Sequence, residues 1–337
     1  MDATAVDLAL SAALAAGDHV RGTTSPNPPV GCAIISPEGE LLGTGSTQPP
    51  GQGRGEHAEV VALRNAGARA RGASAVVTLE PCNHTGRTGP CSHALVAAGV
   101  SEVYYATADP NPLAAGGAEY LRNCGVATTF LDIEVAALQP WLHSVRTGRP
   151  HVTVKTASTL DGYSAAQDGS SQWITGEQAR AHAHRDRSLR DAIIVGTGTV
   201  LADNPRLSAR EETGNLYPKQ PRRVVVGKRA LPADAHLVAA DVARFDTLAQ
   251  ALNALWEAGA RDILIEGGPT LVGGALQQGL VNQLHAYISP ALLGAGLAPM
   301  VLSLTGETGI SDLIRLKLAK VEQLGNDVLI VADVAGK

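Results

Sequence analysis

The sequence has few aromatic residues, few cysteines and no run of basic residues longer than two. Aromatic residues make up only 3% of the 337 positions, which argues against a stacking surface for single-stranded nucleic acid. Four cysteines are too few for a disulfide framework, so we expect reduced thiols and a cytoplasmic protein. The net charge is -5 and no basic stripe is present, so we expect no nucleic-acid partner.

Long apolar runs are also absent. No stretch reaches the roughly 18 apolar residues typical of a membrane-spanning helix, so we expect no membrane partner. The apolar segment LALSAALAA near the N-terminus follows Asp2 and Asp7 but no Lys or Arg, which argues against a secretory signal. Its apolar positions suit an amphipathic first helix.

The length and the pattern of elements predict two α/β domains. A chain of 337 residues suggests two domains, and helical and strand patterns alternate in both halves. A linker-like Arg149-Pro150 step precedes a β-rich run, so we divide the chain into residues 1–147 and 148–337. In the second half we expect residues 197–205 to form a loop after a strand. We also expect LHAYISP and the C-terminal tail to form antiparallel strands.

One imidazole and two thiols form the strongest motif of the first half. His57 stands in an HAE segment, and Cys82 and Cys91 follow in two Pro-Cys pairs. Such a set binds zinc and leaves a fourth position for a water, whose pKa falls to about 7 on the metal. Glu59, two residues after the histidine, is placed to take the proton of that water and pass it to a leaving amine. The pattern is that of zinc-dependent base deaminases.

The spacing of the two cysteines differs from the P-C-x-x-C of those deaminases. Eight residues, NHTGRTGP, separate Cys82 from Cys91, and they form a short polar and cationic loop that suits a ribose or a phosphate. Two alternatives remain open. One is a closed structural zinc site with His84 or His93 as the fourth ligand, which would leave Glu59 without a use. The other is a pair of buried cysteines without a metal.

The second half has no HxE, GxGxxG or P-loop motif, but two glycine-rich segments follow predicted strands. They are VGTGT at 195–199 and EGGPT at 266–270. Backbone N–H groups at the start of a helix bind phosphate. On sequence alone, a tight turn with a helix cap is the simpler interpretation of Gly-Gly-Pro-Thr.

The motifs of the first half resemble the deaminase half of the bifunctional riboflavin-biosynthesis deaminase/reductase family. The matching segments are SPNPPVGCAII, HAEVVAL and TLEPCNHTGRTGPC, although Gly89 and Glu56 stand where that family usually has proline. The resemblance implies a cytidine-deaminase-like α/β/α layer domain, zinc (Zn2+) at the three ligands named above, and Glu59 as the proton shuttle. It also implies substrate contacts at Asn27, His84 and Arg87. A turn residue between prolines is the alternative for Asn27.

Four segments of the second half resemble the reductase half of the same family, in the family's order over about residues 150–275. They are KTASTLDG, SSQWITG, HRDRSLRDAIIVGTGTVLADNPRLSAR and ILIEGGPTL. The resemblance implies a dihydrofolate-reductase-like α/β domain that uses NADPH. It places at the cofactor Ala157, Trp173, Thr199, Asp203, Gly268, Pro269, Thr270, Leu271, Val272, Gly273 and Gly274.

The resemblance also implies a substrate side of this second site. It places there Lys155, Ser171, Arg187, Leu207, Arg210 and Glu266. A sugar phosphate needs fixed cations, which Arg187 and Arg210 can supply as forked donors. Reduction at the ribose C1 needs an acid, and the sequence leaves open whether Lys155, Asp203 or Glu266 takes that role.

The implied function is a two-step conversion of a pyrimidine ribosyl phosphate. Hydrolysis of 2,5-diamino-6-ribosylamino-4(3H)-pyrimidinone 5′-phosphate would release ammonia, and NADPH would then reduce the ribosyl chain to give 5-amino-6-ribitylamino-uracil 5′-phosphate. The choice of NADPH over NADH rests on the resemblance alone. We expect a homo-oligomer, either a dimer through the second domain or a higher assembly, because the C-terminal strands are apolar.

Other functions remain open on the sequence. One is a nucleoside or tRNA deaminase with an appended binding domain, against which the cysteine spacing, the missing basic stripe and the reductase segments argue. Another is a zinc-stabilised scaffold that binds a nucleotide. In the second half, a core position for Trp173, an ordinary turn at Asp203 and a solvated face for the arginines of 185–190 are the simpler interpretations.

Overall fold

A computed structural model of the chain describes residues 2–51, 55–85, 89–238, 242–301, 309 and 313–334. The chain divides into two compact units, Met1–Gly148 and Arg149–Lys337. Each unit has a sheet and a hydrophobic core of its own. Among the described helices, none combines the length and the apolar character that crossing a membrane would require.

Unit 1 contains a five-stranded sheet. Its strands are β1 (Gly31–Ile35), β2 (Leu41–Ser46), β3 (Ser74–Leu79), β4 (Glu102–Thr107) and β5 (Ala127–Phe130). Its described helices are α1 (Ala3–His19), α2 (Ala58–Ala66), α3 (Cys91–Ala98), α4 (Gly117–Asn123) and α5 (Gln139–Thr147). The strand order is β2-β1-β3-β4-β5. β1 runs antiparallel to both of its neighbours, and β3, β4 and β5 run parallel.

Two glycines allow helices to lie against both faces of this sheet. A Cβ on Gly31 would lie 1.9 Å from the carbonyl oxygen of Ala13 in α1, and one on Gly45 would lie 2.3 Å from the carbonyl oxygen of Ala58 in α2. Gly45 pairs with Cys32, the neighbour of Gly31, and side chains alternate between faces along a strand. The two close contacts are therefore on opposite faces. α1 and α2 cover the two sides of the sheet, which gives the expected α/β/α layers.

Unit 2 contains an eight-stranded sheet and a separate two-stranded ribbon. Its strands are β6 (His151–Thr159), β7 (Tyr163–Ala166), β8 (Ala192–Gly196), β9 (Arg222–Val226), β10 (Val242–Phe245), β11 (Asp262–Glu266), β12 (Gln283–Ser289), β13 (Gly296–Pro299), β14 (Leu316–Leu324) and β15 (Asp327–Val334). Its described helices are α6 (Glu177–Ser188), α7 (Thr197–Asp203), α8 (Leu248–Glu257) and α9 (Pro269–Gln277). The order of the large sheet is β10-β9-β8-β11-β6-β12-β15-β14. Its first six strands run parallel, and β15 is antiparallel to both neighbours.

Helices cover both faces of the large sheet as well. Val154 and Ile265 pack in one core with apolar side chains of α8 and α9. The next residues along these strands, Lys155 and Glu266, therefore point to the opposite face and are register partners across β6 and β11. α6 covers that face, where Ala183 packs against buried side chains of the sheet. This alternation places charged side chains between the sheet and α6.

One prediction about local structure is wrong. Residues 197–203 form the short helix α7 instead of a loop, and it ends where Asn204 adopts a left-handed φ of 41°. Glycine and β-branched threonine have low helix propensity, so the sequence favoured a loop and tertiary packing decided otherwise. The predicted antiparallel pairing of the LHAYISP strand is confirmed, because β12 pairs antiparallel with β15, and β12 also pairs in parallel with its other neighbour β6. The predicted antiparallel pairing of the tail, β14 with β15, is confirmed.

Candidate functional site

His57, Cys82 and Cys91 converge in unit 1. Their potential ligand atoms all lie within 4.8 Å of one another. Nδ1 of His57 is 3.2 Å from Sγ of Cys91 and 3.5 Å from Sγ of Cys82. Within the described ranges, this is the one cluster of three or more such side chains. One imidazole and two thiolates are a donor set that fits zinc.

Two helix starts and one strand end bring these side chains together. His57 immediately precedes α2, and Glu59 lies in the first turn of that helix. Cys91 is the first residue of α3, and Cys82 lies in the segment after β3. The backbone N–H of Cys91 donates to Sγ of Cys82 at 3.4 Å. Helix N-termini carry partial positive charge, so both helices favour negative charge at this centre.

The two thiols share a hydrogen bond that shifts their pKa values in opposite directions. The pKa of Cys82 falls to about 4, first because the Cys91 thiol donates a hydrogen bond to it and then because His57 does so. The same hydrogen bond, together with burial, raises the pKa of Cys91 well above its ordinary value. The contact between the two thiols therefore favours the thiolate form at Cys82 over Cys91. A bound cation lets both thiols ionise, because metal ligation and proton loss are linked.

Glu59 is a buried carboxyl group beside these ligands. Glu59 is only 4% exposed to solvent. Burial raises the pKa of Glu59 to about 6, and the charge of Cys82 adds to the effect while His57 opposes it. A carboxyl group with such a pKa can both accept and release a proton near neutral pH.

Three residues that the sequence analysis did not single out form hydrogen bonds around the segments that carry Cys82 and Cys91. The buried hydroxyl of Ser92 donates to Oδ1 of Asn83 at 2.8 Å, and the Ser92 N–H donates to the carbonyl oxygen of Cys82 at 3.2 Å. These contacts join the segments that carry the two cysteines. Glu80 accepts hydrogen bonds of 3.3 and 3.1 Å from two backbone N–H groups at the start of α4. All three residues lie next to a Pro-Cys pair in the sequence. That position is the one sequence signal that could have indicated a role at this site.

The other predicted residues of unit 1 have different surroundings. Asn27 lies in a turn before β1, where its N–H donates to the carbonyl oxygen of Thr24 at 2.9 Å. His84 is half-buried, and its Nδ1 has no hydrogen-bond partner in the part of the chain that the structure describes. His93 is exposed and stacks on Tyr120 with ring centroids 4.2 Å apart. Neither histidine belongs to the described ligand cluster. Arg87 lies outside the described residues.

Unit 2 has a large cavity at the carboxyl ends of its parallel strands. Its volume is about 1140 Å³, and its wall includes residues of the second half of β6 and the ends of β8, β9 and β11. Ligands of open α/β sheets bind at this edge. All but two of the residues predicted for the second site line the cavity. The exceptions are Gly273, which is buried, and Val272, which packs in the core beneath α9.

Lys155, Arg187 and Glu266 form a charged cluster on the cavity wall. Nε and Nη2 of Arg187 donate to the two carboxylate oxygens of Glu266 at 2.5 and 2.7 Å. Burial alone would raise the pKa of Glu266, but the charge and hydrogen bonds of Arg187 outweigh it and leave that pKa below its usual value. Burial lowers the pKa of Lys155, and Glu266 partly opposes this. Glu266 is therefore held ionised next to a lysine that loses its proton more readily than usual.

The remaining predicted residues surround this cluster. Ser171 donates to the carboxylate of Asp203 at 3.1 Å, and the backbone N–H of Gly268 donates to Oγ1 of Thr199 at 3.0 Å. Trp173 is 70% exposed and stacks on Arg180, whose guanidinium carbon lies 4.7 Å from the ring centroid. A core position for this tryptophan is thus wrong.

Arg210 and His184 both contact Ser208 on the cavity wall. Nε of Arg210 donates to the hydroxyl oxygen of Ser208 at 3.1 Å. His184, which the sequence analysis did not single out, has its Nδ1 3.0 Å from the carbonyl oxygen of Ser208. Nη1 of Arg187 donates to that same oxygen at 3.0 Å. Three basic side chains therefore share one corner of the cavity.

Comparison with family models assigns both halves of the chain. Residues 150–330 match the family described as RibD C-terminal domain. Residues 4–107 match the family described as cytidine and deoxycytidylate deaminase zinc-binding region. The first match covers more than half of the chain, and the second contains the metal cluster described above.

Whole-chain relatives cover both units. A protein of Corynebacterium ammoniagenes named riboflavin biosynthesis protein RibD is 52% identical over 308 residues, which cover 89% of this chain and 90% of that protein. One of the same name from Mycobacterium tuberculosis is 48% identical over 333 residues, with 96% of each chain covered.

Solved structures give the same result. RibD of Acinetobacter baumannii has a TM-score of 0.86 at 35% identity, covering 99% of this chain and 100% of that chain. A Thermotoga maritima structure has a TM-score of 0.84 at 28% identity, covering 98% of this chain and 99% of that one. It is named a diaminohydroxyphosphoribosylaminopyrimidine deaminase/5-amino-6-(5-phosphoribosylamino)uracil reductase.

Proposed function

The chain belongs to the RibD family of bifunctional riboflavin-biosynthesis enzymes, and from that premise we propose which reaction each half carries out and which residues perform it. The chain is a riboflavin-biosynthesis enzyme with a zinc-dependent deaminase activity and an NADPH-dependent reductase activity. We assign the deaminase to residues 1–147 and the reductase to residues 148–337. The likeness to the Thermotoga maritima protein supports its two printed substrates as those of this chain.

In the deaminase half, we assign the metal to His57, Cys82 and Cys91, with Asn27, His84 and Arg87 on the substrate. Zinc, when bound, acts as a Lewis acid that makes water a nucleophile near neutral pH. Glu59 accepts a proton from the attacking water and delivers it to the amino group that leaves as ammonia. Its burial beside the ligand cluster supports this role, because a carboxylate shielded from solvent protons can carry one proton between two substrate atoms.

In the reductase half, NADPH supplies the hydride that reduces the ribosyl chain. We assign the cofactor to the predicted residues that line the cavity around Thr199, Gly268 and Thr270. Lys155 is the proton donor that the geometry favours, because Arg187 holds the neighbouring Glu266 in its ionised form. Asp203 accepts a hydrogen bond from Ser171, so it is better suited to orient a ligand than to donate a proton to it.

The convergence of His57, Cys82 and Cys91 next to a buried Glu59 is the observation that carries this function. We expect Glu59→Gln to bind zinc like the wild type, because the amide keeps the size of the side chain and no ligand is lost. Deaminase turnover should fall by at least about 100-fold, the usual contribution of a positioned proton-transfer group. Reductase turnover, measured on the deaminated substrate in the same preparation, serves as the control. Unchanged deamination by Glu59→Gln would contradict the assignment.

We further propose a homodimer through the reductase half in the cytoplasm. β14 ends the order of the large sheet and exposes apolar side chains at Leu316, Leu318 and Val321. An edge strand with exposed apolar residues is prone to pairing with another chain. Light scattering should give twice the chain mass, and a single chain mass at micromolar concentration would contradict the dimer. The need for two reduced thiols at the metal centre supports the cytoplasmic location, which cell fractionation tests.

A further inference from the structure

We propose that His184 is a third ligand of the substrate phosphate, beside Arg187 and Arg210, and that its imidazole takes up a proton when the phosphate binds. This inference rests on the proposed reductase function, since it concerns the same cavity. It adds a residue and a proton-linked step that the assignment above does not contain.

The hydrogen bond of His184 fixes which ring nitrogen carries the proton. His184 lies on α6, one turn before Arg187, and lines the cavity. Its Nδ1 is 3.0 Å from the carbonyl oxygen of Ser208. Nη1 of Arg187 lies 3.4 Å from the same Nδ1, but it donates to the Ser208 carbonyl oxygen at the shorter distance of 3.0 Å. A carbonyl oxygen only accepts hydrogen bonds, so the shorter contact of Nδ1 assigns the hydrogen to that nitrogen. In the neutral ring, Nε2 is then the unprotonated nitrogen, which can accept a hydrogen bond or take up a proton.

The same corner of the cavity is built to attract an anion. Ser208 accepts from Arg187 through its carbonyl oxygen and from Arg210 through its hydroxyl, so both guanidinium groups are fixed in place next to His184. Arg187 already pairs with Glu266, which leaves Arg210 as the cation of this corner without a carboxylate partner in the described part of the chain. Phosphate oxygens form strong charge-assisted hydrogen bonds with such fixed donors.

The surroundings keep His184 neutral until an anion arrives. Burial lowers the pKa of His184, and the positive charges of Arg187 and Arg210 add to this, while Glu266 opposes it. A phosphate ester carries a charge of about -1.5 to -2 at pH 7, which reverses the local field and favours the charged imidazole. Arg187 stays protonated and Glu266 stays ionised near neutral pH, because each holds the other in its charged form. The imidazole of His184 is thus the group in this corner whose protonation responds to a bound anion.

The test is the pH dependence of substrate binding by the full-length enzyme and by His184→Gln. Proton uptake on binding means that the affinity gained from His184 falls as the pH rises. We expect the reductase KM of His184→Gln to exceed that of the wild type by about tenfold at pH 6, the value of one charge-assisted hydrogen bond. This ratio should fall steadily towards pH 8.5. Taking the ratio of the two KM values at each pH cancels the effect of the substrate phosphate's own ionisation, because that ionisation affects both enzymes equally.

A calorimetric measurement gives a readout independent of turnover. 5-Amino-6-(5-phosphoribosylamino)uracil is titrated into the protein without NADPH, in two buffers of different ionisation enthalpy. The wild type should take up more protons per bound substrate at pH 7 than His184→Gln does. His182→Gln is the matched control, because His182 lies on the same helix but bonds to the hydroxyl of Tyr287 at 2.8 Å and does not line the cavity. It should behave as the wild type.

The outcomes separate this inference from the function on which it rests. Equal proton uptake by the wild type and His184→Gln, or a KM ratio that is the same at every pH, would overturn the role of His184 while the reductase assignment stands. The second result would mean that Nε2 merely accepts a hydrogen bond from a ribosyl hydroxyl. A wild type that neither binds nor reduces this substrate would overturn both.

Discussion

At the scale of single residues, the partners of a side chain decide what it can do. Arg187 is an example, since the sequence predicted it as a forked donor for phosphate. In the structure, two of its nitrogens hold Glu266 and a third donates to the carbonyl oxygen of Ser208. Glu266 lies 79 positions away along the chain, so no local pattern shows the pairing. The convergence of His57, Cys82 and Cys91, by contrast, was predictable because each residue carries a motif of its own.

Ser92 gives a prediction at this scale. Its hydroxyl joins the Cys91 segment to Asn83, next to Cys82, so Ser92→Ala should let the two thiols separate. We expect zinc affinity to fall by about tenfold, the lower end of the effect of losing such a supporting hydrogen bond. Competition with a chromophoric zinc chelator measures it. Ser101→Ala, an exposed serine of the same unit with backbone partners, is the matched control. Identical chelator curves for the two variants would show that the hydroxyl does not support the site.

At the scale of helices and strands, the ends of elements carry the functional groups. His57 and Cys91 stand at helix starts, and Lys155 and Glu266 lie on neighbouring parallel strands. Alternating patterns of helix and strand predicted most of these elements. The short elements escaped prediction, because a four-residue strand such as β10 (Val242–Phe245) has too few positions for a periodic pattern. The helix α7, with only seven residues, escaped prediction for the same reason. Its residues line the cavity.

The close approach of β2 and α2 leads to a second prediction. Gly45→Ala would place a Cβ 2.3 Å from the carbonyl oxygen of Ala58, which stands between His57 and Glu59. The start of α2 must then shift, at a cost of about 1–3 kcal/mol in the free energy of unfolding. We expect deaminase kcat/KM and zinc content to fall while reductase activity stays unchanged. Gly89→Ala is the control, since an added Cβ there meets no described atom within 4 Å. Full deaminase activity in Gly45→Ala would contradict this account of α2.

A buried ion network joins α6 to the large sheet and predicts how stability depends on pH. Arg190, which is 3% exposed, donates to Asp186 at 2.7 Å and to Asp262 at 2.7 Å. Burial would raise the pKa of Asp186, but Arg190 and His285 outweigh it and hold that pKa far below its usual value. A carboxyl group whose folded-state pKa is lowered stabilises the fold above its unfolded-state pKa of about 3.9, and this contribution is lost as the pH falls further.

Asp186→Asn tests this network. We expect it to lower the free energy of unfolding by about 3–5 kcal/mol at pH 7, because Arg190 loses a buried partner. The difference in the free energy of unfolding between Asp186→Asn and the wild type should become smaller as the pH falls below about 4. Urea unfolding at several pH values measures it, with Asp234→Asn, an exposed aspartate, as the control. A difference that is constant between pH 7 and pH 3 would show that the charge of Asp186 is not what stabilises the fold.

At the scale of the whole molecule, two units with separate cores each hold one site. The order of the motifs along the chain was enough to predict two activities, because each site takes its side chains from within its own unit. What the sequence did not show is the charge arrangement inside the cavity. The corner formed by His184, Arg210 and Ser208 depends on contacts between α6 and the segment after α7, and such contacts leave no periodic pattern in the sequence.

We propose above that one chain performs a deamination and then a reduction, each in its own unit. The most direct test is the mass of the products that the zinc-loaded full chain forms from the diaminopyrimidinone ribosyl phosphate, with and without NADPH. We expect a deaminated product without NADPH, and a product that is both deaminated and reduced when NADPH is present. A zinc-loaded chain that leaves the substrate unchanged in both cases would contradict it.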